Sequence, residues 1–205
     1  MTWPNRITYT RILLIPGFVI SALQVAEHPV FRYVTMVIFV TIALGDALDG
    51  YVARRFDLAT REGKFIDPLA DKLLMVTACV MLAIPIWALP GDRAPLEPEV
   101  ATIIIARDAF ICIWVLVAYL AGEEIVFDPT RLGRFTTFMQ MLMIAAALAG
   151  TLSMVFLDYV ALPLSYATAA ITIASGLQYL YKYTRGARSR QIEARDGESD
   201  DDQSD

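Results

Sequence analysis

The sequence predicts an all-α, polytopic membrane protein with six transmembrane helices. Three observations predict it. Of the 205 residues 57% are hydrophobic and 19% charged, with a mean hydropathy of +0.52. A soluble domain averages about 45–50% apolar and about 25% charged. The apolar residues, about 117 in all, fall into long runs, and a membrane-crossing helix needs about 20 of them. No strand-like alternation competes over such lengths. There is also too much apolar surface for a chain disordered throughout.

The first run spans about Ile7 to Val25 and contains Pro16-Gly17. Its short basic start suits a signal peptide. No clear small-residue cleavage site follows, and more apolar runs do, so a retained helix is expected. The second runs from about Val30 to Leu48, the third from Pro68 to Leu89 and the fourth from Val100 to Ala121. The fifth covers about Phe135 to Phe156 and the sixth Tyr159 to Tyr183. Turn signals separate them: Pro90-Gly91 with Pro95 and Pro98, then Gly122-Glu123-Glu124, then Leu157-Asp158 with Pro163 behind. No repeat of fixed period is present. Residues 1–190 are expected to form the transmembrane domain.

The net charge of −5 comes from one end, since six of the 22 acids lie in the last ten residues. Residues 191–205 therefore read as a disordered acidic tail. The body without that tail is nearly neutral, and no nucleic-acid partner is expected. Fourteen of the seventeen Lys and Arg fall on one side of a six-helix topology. The other side has Arg32 and Arg93, and Arg107 lies within the fourth run. Both termini and the loop near residues 50–66 should then be cytoplasmic, at the inner membrane. Cys79 and Cys112 sit in apolar runs without metal-ligand spacing and read as packing residues. His28, beside Glu27 and Pro29, reads as a loop residue. No Ser-His-Asp or Cys-His arrangement suggests itself.

Ionisable groups at membrane depth are costly and usually mark function. Asp46 and Asp49 are three apart at the end of the second run; Asp67 and Asp71 are four apart at the start of the third. Each spacing puts the pair on one helix face. If the two helices pack side by side, four carboxylates converge. They cannot all stay ionised in a partly dry space without cations. Oxygen-only donors suit Mg2+ or Mn2+, and two such ions would clamp a phosphoryl displacement. The plainer alternative is four solvated acids paired with Arg54, Arg55, Arg61 and Lys64. Gly50, Ala53 and Gly63 are small where a ligand could approach the backbone. Arg54, one turn from Gly50, could bind phosphate oxygens.

Together these residues read D-x2-D-G-x2-A-R-x8-G-x3-D-x3-D, eight fixed residues over 26 positions. The string resembles in full the signature of the CDP-alcohol phosphatidyltransferases. That resemblance runs from Pro4 to about the sixth helix. It implies six transmembrane helices, a homodimer, and transfer of a phosphatidyl group from a CDP-linked lipid to an alcohol or lipid acceptor. It implies two metal ions, Asp46, Asp49 and Asp67 holding the first and Asp46, Asp67 and Asp71 the second. Asp71 would also be the general base. Gly50, Ala53, Arg54 and Gly63 would line the site of the CMP diphosphate.

Pro4-Asn5-Arg6-Ile7-Thr8-Tyr9-Thr10-Arg11 resembles the opening of phosphatidylglycerophosphate synthases and related cardiolipin synthases. So does the run Gly63 to Leu74. Arg107-Asp108 resembles that branch's Arg-acid pair. By physics, a membrane Arg needs an anion: Asp108, another carboxylate or a bound phosphate. Gly133 to Gln140 resembles G-K-x-K-T-x2-Q. Arg134 keeps the charge of the first Lys, and Thr136 loses that of the second. Cardiolipin synthases carry an uncharged residue there. The expected donor is CDP-diacylglycerol and the expected acceptor glycerol 3-phosphate, with phosphatidylglycerol as the rival. A small transporter with intramembrane acids is the alternative from another class.

Overall fold

The computed structural model describes the backbone over residues 3–56, 63–87, 89–120 and 131–201. Side chains are described over 13–45, 72–113 apart from 88 and 92, at 117, and over 132–181. Every long apolar run became a helix, and no strand occurs among the described residues. In chain order they are α1 (Trp3–Leu23), α2 (Phe31–Phe56), α3 (Gly63–Ala83), α4 (Pro98–Leu120) and α5 (Arg131–Gly150). A short α6 (Met154–Phe156) then passes through a π-turn (Leu157–Ala161) into α7 (Leu162–Asp201).

The helix boundaries depart from the hydropathy runs where helix and apolarity part company. The second apolar run stops near Leu48, yet α2 continues to Phe56, so Asp46 and Asp49 lie well inside it. Helix α3 starts at Gly63 and ends at Ala83, five residues before and six residues before the expected bounds. The fifth run was expected to continue to Phe156. Instead α5 ends at Gly150, and Ser153 caps α6 by accepting from Phe156 N at 3.4 Å. The break expected at Leu157-Asp158 is a wide helical turn. Pro163 offers no N–H to the preceding turn, and the π-turn absorbs that defect. The Pro90-Gly91 turn is where it was expected, with Gly91 at φ 76°, ψ 23°, a conformation that favours glycine. Helix α7 continues through Asp201, into the acidic stretch. His28 is exposed in the loop before α2, its ring 6.2 Å from that of Phe31.

Arg32, at the start of α2, fixes how the helices run. Its Nη1 donates to the Thr151 carbonyl at 3.0 Å, and its Nη2 to the Trp87 carbonyl at 2.6 Å. The start of α2 thus meets the ends of α3 and α5. Arg93, in the loop after α3, bonds Asp158 at 2.6 Å, so the start of α4 and the α6–α7 rod join the same end. Helices α2, α4 and α7 therefore run antiparallel to α3 and α5. Helix α5 packs against α2, α3 and α7, while α1 packs against α2 and α3. The core runs through all of these, from Phe18 and Phe39 to Trp87, Ile104, Met143 and Leu148.

Among the described residues, the apolar core is interrupted by several polar side chains, and the exterior is rich in large apolar ones. Thr35, Asp108, Thr136, Gln140, Thr168, Thr172 and Ser175 are buried, while Leu13, Val37, Ile113, Phe138, Tyr159 and Leu177 face outward. A soluble monomer rarely exposes so much apolar surface. Two described stretches, Leu132–Gly150 and Met154–Tyr181, are long and apolar enough to cross a membrane. Shorter apolar helical stretches are Leu13–Leu23, Phe31–Gly45 and Lys72–Ala83. The chain is built for association with a membrane. Among the described residues six helices are long, and two stretches have the length of a span.

Candidate active site

Helix geometry places the motif. At about 1.5 Å per residue, and counted from the Arg32 end, Asp71 lies about 18 Å along α3 and Asp67 about 24 Å. On α2, Asp46 lies about 22 Å along and Asp49 about 27 Å. All four positions are on helical backbone, in the halves of α2 and α3 remote from the Arg32 end. Gly50, Ala53 and Arg54 continue along α2, and Gly63 opens α3. The side chains of Asp46, Asp49, Asp67, Asp71, Ala53 and Arg54 lie outside the described residues, as do the surroundings of Gly50 and Gly63. Among the described residues, no three carboxylate, His or Cys side chains come together.

What is described is the polar layer just below. Lys72 follows Asp71 directly on α3, and its Nζ lies 2.5 Å from Asp108 Oδ2 on α4. The other Asp108 oxygen accepts from Arg107 Nη1 at 2.7 Å. Arg107 Nη2 donates to Ser175 Oγ on α7 at 2.7 Å, and its guanidinium lies 5.9 Å from the Tyr179 ring centre. The latter distance allows a cation–π contact. Three helices are thereby joined through one buried carboxylate. Asp108 is 3% exposed, so its two cations are what make its burial tolerable. The anion that Arg107 needs is Asp108, one of the three foreseen. Arg107 Nε has no hydrogen-bond partner among the described residues. Gly176 lies beside Arg107, and a Cβ there would meet its Cγ at 3.6 Å, an ordinary van der Waals contact.

Helix α5 supplies the remaining side of the layer. Gly133, Thr136, Gln140, Met143, Ile144 and Ala147 form its buried face, spaced at i, i+3, i+4 and i+7 as an inward helix face requires. Thr136 donates its hydroxyl to the Leu132 carbonyl at 2.8 Å, and Thr137 to Gly133 at 3.3 Å. Arg134 is exposed. Gln140 is fully buried, yet neither Nε2 nor Oε1 has a hydrogen-bond partner among the described residues. Leaving such groups unpaired costs about 1–3 kcal/mol each. The small residues Ala146, Ala147 and Gly150 are buried within the single chain, where they serve packing inside the subunit.

By the chemistry of the residue type alone, aspartates at these positions are the kind of donor that hard divalent cations take. Four carboxylate positions offer oxygen alone. The two described cations of the adjoining layer, Lys72 and Arg107, are already bonded to Asp108, so their charge is committed. Sequence reasoning had Arg107 and Asp108. It missed Lys72, Ser175 and Tyr179 as their partners, and the open amide of Gln140. Lys72 was visible as a charge within an apolar run; Ser175 and Tyr179 carried no signal.

Comparison with known proteins gives one consistent result. The family model described as CDP-alcohol phosphatidyltransferase matches residues 1–174. The chain is 33% identical over 190 residues to the CDP-diacylglycerol–glycerol-3-phosphate 3-phosphatidyltransferase of Bacillus subtilis, covering 87% of this chain and 93% of that protein. It is 35% identical over 182 residues to the protein of the same name from Haemophilus influenzae, covering 86% and 90%. It is also 29% identical over 195 residues to a cardiolipin synthase (CMP-forming)/mitochondrial hydrolase fusion protein of Schizosaccharomyces pombe, covering 87% of this chain and 30% of that one.

Proposed function

We propose that this chain, which belongs to the CDP-alcohol phosphatidyltransferase family, transfers a phosphatidyl group from CDP-diacylglycerol to glycerol 3-phosphate and releases CMP. The observation that carries the reading is the complete motif from Asp46 to Asp71, borne on two helices that run antiparallel. The names of the relatives point to the same reaction.

In this reading Asp46, Asp49, Asp67 and Asp71 hold two ions, Mg2+ or Mn2+. Bound there, the ions would neutralise the diphosphate of the donor. Arg54 binds phosphate oxygens, and Gly50, Ala53 and Gly63 let the nucleotide approach the backbone. Arg134, at the start of α5, offers a further positive charge to the substrates. Asp71 takes the proton of the acceptor hydroxyl. The hydroxyl oxygen then bonds the phosphorus that carries diacylglycerol, and the bond from that phosphorus to the CMP oxygen breaks. Lys72, Asp108 and Arg107 hold α3 against α4 and α7 beside Asp71. Six helices cross the inner membrane, with the site and both termini cytoplasmic. The working unit is a homodimer, which light scattering in detergent would show as twice the mass of the chain.

One observation favours a second reading of the acceptor. Thr136 is buried, and its hydroxyl is spent on Leu132. It brings no charge where phosphatidylglycerophosphate synthases carry a Lys. Phosphatidylglycerol as acceptor, giving cardiolipin, is compatible with that. The test supplies the purified chain with labelled CDP-diacylglycerol and each acceptor in turn. Phosphatidylglycerol phosphate as the lipid product supports the first reading, and cardiolipin the second. Ion flux across vesicles without CMP formation would contradict both.

A further inference from the structure

Gln140 is a buried carboxamide with an open donor and an open acceptor. It sits on the α5 face that packs into the bundle, where the neighbours of α5 are α2, α3 and α7. Counted from the Arg32 end, it lies about 15 Å along α5, and Lys72 about 16 Å along α3. Asp71 is the next residue on α3. Helices α3 and α5 run the same way, so Gln140 occupies the layer directly beneath the motif. The other polar side chains described in that layer each have a bonded partner, although Arg107 Nε stays open. Lys72 and Arg107 bond Asp108, and Thr136 and Thr137 bond their own helix.

We propose that Gln140 recognises the acceptor by bonding the secondary hydroxyl next to the hydroxyl that reacts. The proposal rests on the transferase reading above. Its chemistry follows from what a carboxamide leaves open. A phosphate or carboxylate only accepts, and would leave Oε1 unpaired. An ammonium only donates, and would leave Nε2 unpaired. A hydroxyl donates and accepts, so it answers both groups. Glycerol 3-phosphate and the head group of phosphatidylglycerol both carry a secondary hydroxyl beside a primary one. Gln140 thus selects a vicinal diol whichever of the two is the acceptor.

The test removes each side of that bond in turn. The full chain, purified in detergent, is assayed for CMP release with glycerol 3-phosphate and with 3-hydroxypropyl phosphate, which lacks the secondary hydroxyl. The same is done with phosphatidylglycerol and its propane-1,3-diol counterpart; the pair that turns over identifies the source of the diol. In wild type the deoxy acceptor should lose on the order of 100-fold in kcat/KM. Gln140→Leu should raise the KM of the diol by about tenfold or more and leave that of CDP-diacylglycerol unchanged. The variant should also no longer tell the two acceptors apart. Gln140→Met, of similar length, serves if the leucine variant does not fold. Equal turnover of both acceptors by wild type overturns the proposal, and so does undiminished discrimination by the variant. A wild-type chain that releases no CMP with any acceptor sinks the transferase reading itself, and this proposal with it.

Discussion

Asp108 is the residue on which the described polar layer turns. It binds Lys72 and Arg107 at once, from a position 3% exposed. Breaking a buried pair by removing one partner strands the other charge, and typically costs about 3–5 kcal/mol. Asp108→Asn strands two cations, and should lower unfolding stability by about that much. Lys72→Met leaves Asp108 paired with Arg107 and should cost less, about 1–2 kcal/mol, since the Lys72 side chain is partly exposed. Thermal or denaturant unfolding in detergent checks the order, and a larger loss for Lys72→Met would contradict it. The Arg107–Asp108 pair was one of the options the sequence offered; the Lys72 partner was not legible there. Lys72 and Asp108 are 36 residues apart, and helix periodicity says nothing about partners on other helices. The aspartate quartet was legible, because i+3 and i+4 spacings are local. The orphaned amide of Gln140 was not, because burial and hydrogen bonding are properties of the packed bundle.

At the scale of elements, hydropathy located the helices and misjudged their ends. It reports where apolar residues stop, and a helix with a polar face continues past that point. Helix α2 does so for eight residues beyond Leu48. The opposite error occurs after α5, where apolar sequence on both sides of Thr151-Leu152-Ser153 hides the break. Ser153 was the available clue, as a capping residue ahead of a new helix. Packing explains why the break matters. A Cβ added at Gly150 would lie 2.7 Å from Leu157 Cδ1 and 3.2 Å from its Cα. Gly150→Val should therefore destabilise the chain by about 1–3 kcal/mol through overpacking. Gly17→Ala should be neutral or slightly stabilising, since nothing lies within 4 Å of a Cβ there. Unfolding midpoints of the two variants compare them directly, and equal midpoints would contradict the close approach of α5 to the π-turn.

Among the described residues, the bundle buries several polar side chains beside an apolar core and also turns many large apolar side chains outward. One end is tied by Arg32 and Arg93, each bonded to groups of other segments. The opposite end holds the last turns of α2 and the first turns of α3 and α5, which carry Arg54, Arg55, Lys64, Arg131 and Arg134. In the proposed topology the positive-inside rule assigns that end to the cytoplasm. In a variant without Cys79 and Cys112, a membrane-impermeant thiol reagent should label Glu99→Cys from outside intact cells. It should label Thr60→Cys only after permeabilisation. Labelling of both from one side would contradict the topology. This bias in Lys and Arg was legible in the sequence, whereas the antiparallel order of the helices rests on the long-range bonds of Arg32.

The account stands or falls on the four aspartates acting together on a metal-bound diphosphate. The most direct measurement is CMP release from CDP-diacylglycerol by the purified chain, before and after chelation with EDTA. Release should fall to background in EDTA and return with Mg2+ or Mn2+, while Asp71→Asn, folded by its unfolding midpoint, stays at background throughout. Release that continues undiminished in EDTA, or in the Asp71→Asn chain, would contradict it.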